Sequence, residues 1–261
     1  MDPNEHALAG GSRTAVTLKG GVVYRRPGPW SQAVIALLRH LEAVGFVAAP
    51  TVIGTGFSTD GRETITYVPG AFVHPGPWPA VALPQIGALL ASLHRATHSF
   101  VSPQMPQWQD WFGRRIGTPS VIGHCDLGAW NIVARQGSPV AFIDWEVAGP
   151  VDPYVELAQV CWLNAHLFDD DLAEQEGFAA PNVRAGFVRS ICDGYGLAAT
   201  RRAGLVDLMI AFAIHAAAQE ARDAAITANT LDPAPLWAIT WRARSAAWML
   251  THRSVLERAL V

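Results

Sequence analysis

The sequence predicts an α+β protein in two lobes: a small β-rich N-terminal lobe with one helix, and a larger, mainly α-helical C-terminal lobe. Two observations carry this. The first third alternates short β-branched runs with glycine and proline turns. From Tyr154 onward apolar residues recur at helical spacing almost to the end, as in Val206, Met209, Ile210, Ala213 and Ala217. The division is placed between residues 1–70 and 71–261, with the Pro/Gly-rich stretch from Pro69 to Pro79 as the hinge.

Thr14 to Leu18 and Val22 to Arg26 flank Lys19-Gly20-Gly21 and predict a β-hairpin, because glycine accepts the positive φ that a tight hairpin turn requires. Pro27, Gly28 and Pro29 then break the strand. Ser31 is expected to cap a helix whose Val34, Leu37, Leu38, Leu41 and Val44 share one face and which Gly45 ends. Two more strands are expected, from Pro50 to Gly56 and from Thr64 to Val68. Beyond the hinge, Ile86, Leu89, Leu90 and Leu93 mark a second amphipathic helix that ends near Arg95.

Composition narrows the function classes. The chain has 261 residues, half of them hydrophobic and 16% charged, which suits a compact fold and argues against disorder. A formal net charge of −3 without blocks of like charge gives no sign of nucleic acid or an anionic membrane as partner. Cys125, Cys161 and Cys192 are widely spaced, so neither a zinc site nor a disulfide framework is expected, and a reducing cytoplasm is the simplest setting. The polar Met1 to His6 segment is no signal peptide. Leu205 to Ala218 is too short, and too marked by Asp207 and His215, to span a bilayer. The ten tryptophans are assigned mostly to the core.

The segment from Val121 to Glu146 carries chemistry. Asn131-Ile132-Val133 and Val140 to Ile143 flank a Gln136-Gly137-Ser138-Pro139 turn and predict a hairpin. Pairing would set Asn131, opening one strand, beside Asp144, closing the other. Asp126 lies on the loop that feeds Asn131. Two carboxylates and an amide oxygen at one point suit a hard cation such as Mg2+, and a carboxylate left off the metal can take the proton of an attacking hydroxyl.

His124-x-Asp126-Leu127-x-x-x-Asn131 resembles the catalytic loop of protein kinases, with Asp144 where their metal-binding Asp falls. The surroundings more closely resemble the aminoglycoside phosphotransferase and choline kinase branch of that superfamily. Its pattern H-G-D-x-x-x-x-N followed by I-D-W/F-E/D is met by Ile143-Asp144-Trp145-Glu146. Tyr67-Val68-Pro69-Gly70 resembles the family hinge, and Gly149 to Pro153 with Glu156-Leu157-Ala158 resembles its G-x-x-D-P and D-L-A segment. The resemblance covers roughly residues 10 to 200.

The resemblance implies a two-lobed protein-kinase-like fold and transfer of the γ-phosphoryl of ATP or GTP to a small-molecule hydroxyl. It makes Asp126 the base, Asn131 and Asp144 the Mg2+ ligands, and His124 a brace. Gly10, Gly11 and Ser12 would cover the phosphates, Val23, Tyr67, Val68 and Gly70 would face the nucleotide base, and Arg25, preferred over Arg26, would replace the usual Lys. Aminoglycosides, other antibiotics, amino alcohols and sugars all fit as acceptors, and the protein would act as a monomer or homodimer. Cys125 stands where the family has Gly, and Glu156 where it has Asp. The first helix offers Gln32 but no acid before Glu42, so the partner Glu of the cation is missing. With Arg in place of Lys, that gap supports an alternative, a catalytically inactive nucleotide-binding relative. A two-metal hydrolase would need more ligands than converge here. Asp152 is expected to be a turn or cap residue. Asp169 to Asp171, Glu174 and Glu176 are read as a solvated loop, with attraction of a cationic acceptor as the second reading.

Overall fold

The structure, a computed structural model, describes residues 5–8, 16–103 and 105–261. It opens with β1 (His6–Ala7), β2 (Val16–Lys19), β3 (Val22–Arg25), α1 (Ser31–Ala43), β4 (Val52–Phe57) and β5 (Glu63–Thr66). These five strands form one antiparallel sheet in the order β1-β2-β3-β5-β4. The β2–β3 hairpin closes at Lys19 and Val22 through Gly20 and Gly21, both at positive φ, the turn whose twist matches the strands. Helix α1 buries Val34, Leu37, Leu38 and Leu41 on the face read from the sequence, whereas Val44, expected on that face, follows the helix and is exposed. Each buried side chain contributes about 1.5–3 kcal/mol.

Ser31 does not cap α1 as expected. Trp30 holds the cap position, and Ser31 opens the helix with its hydroxyl committed elsewhere: Oγ accepts the Gly28 N–H at 2.8 Å and donates to the Glu63 carboxylate. A buried carboxylate outcompeted the helix end for the one hydroxyl.

The chain then passes through residues 67–79 to α2 (Leu83–Thr97). This connection is tied down where it crosses, by reciprocal backbone bonds of 2.8 and 2.9 Å between Ala71 and Ala134. Next come β6 (Val121–Gly123), β7 (Ile132–Arg135), β8 (Ser138–Phe142) and β9 (Gly149–Val151). The β7–β8 hairpin is the one expected, and the Ile143 N–H reaches the Asn131 carbonyl at 3.0 Å. The short β6–β9 pair and β1 carried no sequence signal strong enough to predict them. The remainder is helical: α3 (Pro153–Asn164), α4 (Asp170–Glu176), α5 (Pro181–Tyr195), α6 (Leu205–Asp223), α7 (Pro233–Thr251) and α8 (Arg253–Leu260). Asp152 caps α3 through Tyr154 N–H at 2.8 Å and also receives the Thr118 N–H. None of the described helices is long and apolar enough to cross a membrane.

Helix α3 is the element on which the loop before β7 is built. Ten of its twelve residues are buried, three of them polar for a reason. The Glu156 carboxylate accepts the Cys125 N–H at 2.6 Å, Gln159 Nε2 donates to the Cys125 carbonyl at 3.0 Å, and Asn164 Nδ2 donates to the Leu127 carbonyl at 2.9 Å. Glu156 also receives His94 Nε2 from α2 at 2.7 Å. Burial alone pushes the Glu156 carboxyl up; the His94 bond and the Cys125 N–H outweigh it and hold the group below its usual range.

Two outcomes follow for stability. Glycines let α2 and α5 approach closely: a Cβ on Gly194 would collide with the Pro84 carbonyl, which is backbone and cannot swing aside. Gly194→Ala is expected to cost about 1–3 kcal/mol in urea denaturation, the usual toll of overpacking. Glu156→Ala strands His94 and the Cys125 N–H in the interior and is expected to cost about 3–5 kcal/mol. Because the folded Glu156 pKa lies below the unfolded one, its contribution is present above the normal carboxylate pKa and is lost as pH falls through the folded value. The acid limb of a stability–pH curve should therefore flatten in the variant.

Candidate active site

The loop from His124 to Asn131 leaves β6 and enters β7. His124 is fully buried, with its ring 4.7 Å from Trp145, Nε2 on the Ile143 carbonyl at 2.8 Å, and Nδ1 receiving the Asp126 N–H at 3.3 Å. Burial pushes this imidazole below its usual pKa against weaker opposing pulls from Glu156, Ile143 and Asp144. A neutral ring with Nε2 protonated satisfies both bonds, so His124 braces the loop rather than exchanging protons. Cys125 follows in the left-handed region at φ 68, where a side chain is strained and glycine is at ease. Burial, then the Glu156 charge, raise its thiol well above the normal range, which makes it a poor nucleophile.

That reversal delivers Asp126, partly exposed, into a cavity of about 840 Å³. Asn131 Nδ2 donates both to the Asp126 carbonyl at 2.8 Å and to its Oδ2 at 2.9 Å, which leaves the amide oxygen of Asn131 as its remaining ligand atom. Asp144 follows the second strand of the β7–β8 hairpin, at the same end where Asn131 precedes the first. It too is left-handed, at φ 62 and ψ 66, because buried Trp145 directly after it turns inward and donates to the Phe142 carbonyl at 2.9 Å. The Asp144 side chain stays half-exposed, at 49%. A carboxylate and an amide oxygen at one hairpin end form the kind of oxygen pair that Mg2+ accepts when water and phosphate complete its shell.

Arg25 comes to this point from β3, buried at 7%, whereas Arg26 is exposed. Its guanidinium makes bonds of 2.8 and 2.7 Å to Glu63 and one of 2.9 Å to Asp144, with Glu146 at 3.6 Å. The first helix offers no acid to Arg25, as expected; the partner of Arg25 is Glu63, which the sequence reading did not pair with it. It lies directly opposite Arg25 on β5 rather than on α1, and Ser31 of α1 braces it. A lone Glu opening a Glu-Thr-Ile-Thr strand was the available signal; reading it required the register of strands 38 residues apart.

Val23, Tyr67, Val68 and Gly70 line the sheet side of the same cavity, with Ile65 and Ile143 beside them. Gly10, Gly11 and Ser12 lie outside the described residues. The opposite side is aromatic. Trp111, Phe112, Trp162, Phe212 and Trp241 line it, with Phe112 and Phe212 4.8 Å apart and Trp162 stacked on Trp241 at 5.3 Å. The sequence reading assigned most of the tryptophans to the core; Trp111, Trp162 and Trp241 pack there and also line the cavity. The acidic run does not reach the cavity. Asp169 caps α4 and pairs with Arg244, as does Asp171, and Asp170 receives Arg184 and the Trp248 indole.

Comparison with known proteins agrees with this arrangement. Residues 101–202, which contain the loop and the hairpin, match the model of the phosphotransferase enzyme family APH. The chain is 58% identical over 258 residues, 98% of its length and 99% of the other protein, to the trifolitoxin immunity protein of Rhizobium leguminosarum bv. trifolii. Three solved structures share the fold at low identity. An amicoumacin kinase in complex with AMP-PNP, Ca2+ and Ami has a TM-score of 0.68 at 14% identity, over 95% of this chain and 89% of that one. A microcompartment-associated aminopropanol kinase has a TM-score of 0.67 at 16% identity, over 98% and 94%. A choline/ethanolamine kinase family protein from Mesorhizobium loti has 0.61 at 18%, over 98% and 92%. A five-stranded sheet facing a helical part across such a site, with these matches, places the chain in the APH phosphotransferase enzyme family.

Proposed function

We propose that this chain is a kinase that protects its host by moving the γ-phosphoryl group of ATP or GTP onto a hydroxyl of a toxin or antibiotic-like small molecule. The observation that carries the reading is that Asp126, Asn131 and Asp144 line one cavity together with apolar residues of the sheet and aromatic residues of the helical part. The name of the immunity relative supports a toxin as acceptor.

The nucleotide base lies against Val23, Tyr67, Val68 and Gly70; at Gly70 a Cβ would collide with Val133 and the Ala134 carbonyl, so glycine lets this connection pack on β7. Residues 1–70 thus form the nucleotide lobe, and residues 71–261 carry the loop and the acceptor side. Arg25, held at a fixed angle by Glu63, presents its remaining N–H groups to the phosphates. Asn131 and Asp144 hold Mg2+, which supplies neutralisation of charge on the phosphoryl oxygens. Asp126 accepts a hydrogen bond from the acceptor hydroxyl and aligns its oxygen in line with the γ-phosphorus. The new O–P bond forms as the bond to the bridging β,γ-oxygen breaks; the nucleoside diphosphate leaves, and the hydroxyl proton passes to Asp126.

One contact favours the inactive reading: Arg25 Nη1 donates to Asp144 Oδ1, so the guanidinium would share that carboxylate with a metal. The Glu63 pair speaks for activity, since it supplies the anchoring acid that α1 lacks.

Nucleotide consumption with Mg2+ across hydroxyl acceptors, trifolitoxin among them, tests the reading. Asp126→Asn should lower kcat by about 10²–10⁴-fold while leaving Mg-nucleotide affinity close to that of the parent. Asp144→Ala should instead weaken Mg-nucleotide binding in calorimetry. Full turnover in the first variant, or unchanged binding in the second, would remove those residues from their roles.

A further inference from the structure

One guanidinium joins three stretches of the cavity lining. Residues 109–112, Cys125 beside Asp126, and Val147 shortly after Asp144 all line the cavity. Arg114, half-buried in the short 3-10 turn Phe112–Arg115, does not line it. Its Nε and Nη2 donate to the Gln109 carbonyl at 3.2 and 2.8 Å. Nη2 also donates to the Val147 and Ala148 carbonyls at 2.8 and 3.2 Å. Nη1 donates to the Pro150 carbonyl at 3.3 Å and to Cys125 Sγ at 3.6 Å.

The pattern of these bonds separates bracing from binding. A guanidinium has five N–H donors in one plane, and all three nitrogens of Arg114 are engaged by acceptors of the chain itself. No donor is left over for a substrate, so Arg114 can act on the reaction only through the segments it holds. Two residues are fitted to it. Gly149 leaves the space, since a Cβ there would stand 2.7–2.9 Å from the guanidinium atoms. Cys125, where the family has glycine, supplies a thiol that accepts from Arg114 and donates to the Gly149 carbonyl at 3.7 Å. The Trp111 ring of the wall lies against the same head group, its centroid 5.7 Å from Cζ. Helix α3 grips the backbone of Cys125; Arg114 ties its side chain to the wall.

We infer that Arg114 is a positioning residue: it fixes the wall at residues 109–112 against the Asp126 loop and against the segment after Asp144, so that an acceptor resting on that wall meets Asp126 at the working distance. The inference rests on the proposed function only for which reaction is positioned. Lys is no substitute here, because an ammonium is a single point of charge on a flexible stem and cannot reach three segments at once.

The test uses the full chain and two variants. Arg114→Lys keeps the charge and loses the planar fork; Gly149→Ala keeps Arg114 and fills the place of its head group. Hydrogen–deuterium exchange read by mass spectrometry reports the coupling. Amides of residues 109–113 and of residues 124–127 should both exchange about tenfold or more faster in each variant, with α1 and the five-stranded sheet at the parent's rates. A rise in only one of the two segments, an even rise over the whole chain, or parent-like exchange in either folded variant would overturn the inference. Gly149→Ala decides the matter alone should Arg114→Lys not fold. Steady-state kinetics with Mg-ATP and trifolitoxin, kanamycin or choline as acceptor give the second readout. For an acceptor that the parent phosphorylates, kcat/KM should fall about tenfold to a hundredfold in Arg114→Lys, while the KM for ATP stays within about twofold. A merely structural brace would lower stability and leave both constants of the folded protein unchanged; that result, or an equal loss for ATP, contradicts a positioning role. A parent that phosphorylates none of the three counts against the phosphotransferase reading instead, and the exchange pattern then decides the coupling by itself.

Discussion

Three hydrogen bonds from one helix fix the backbone on which the proposed base sits. Glu156, Gln159 and Asn164 of α3 hold the Cys125 N–H, the Cys125 carbonyl and the Leu127 carbonyl. Cys125 is thereby kept in a left-handed conformation it would not choose, and Asp126 is turned outward as a result. The arrangement works because it is buried: in a low-dielectric interior these bonds are strong, and losing one partner leaves an expensive orphan. His94 completes it by meeting the second oxygen of Glu156, so α2 and α3 are locked by the same carboxylate that positions the loop. A shift of about 1 Å at a reacting group can cost about a hundredfold in rate, which is why so much buried polarity is concentrated behind one short segment.

A second hub ties the sheet to this loop. Arg25 spans Glu63 on β5 and Asp144 at the end of the hairpin, and Ser31 joins α1 to Glu63. Sheet, helix and site thus meet in one hydrogen-bonded cluster with most of its members buried. Arg suits this place because its planar fork serves two partners at once, which a Lys ammonium does less well. The exchange of Arg for Lys and the move of the acid from helix to strand therefore belong together.

What the sequence made legible was local. The β2–β3 and β7–β8 hairpins follow from glycine-bearing turns between β-branched runs, and the second hairpin alone brings Asn131 beside Asp144. The Asp152 cap and the α1 face were equally readable from spacing. What it hid was pairing between distant segments. Glu63 opposes Arg25 only through sheet register, and Trp162 meets Trp241 only because α3 and α7 both pack on α6. Ser31 misled because a cap and a brace for a buried acid use the same hydroxyl. The acidic run at Asp169 gave an ambiguous charge signal that its arginine partners, on α5 and α7, resolve as structural.

The central claim is transfer of phosphate to an alcohol rather than to water, and 31P NMR of the purified chain with Mg-ATP and a set of hydroxyl acceptors reads it directly. The account predicts a new phosphomonoester resonance, matched by nucleoside diphosphate and dependent on the acceptor. Inorganic phosphate as the sole product would contradict it in favour of hydrolysis, and an unchanged nucleotide with every acceptor would contradict it in favour of an inactive relative.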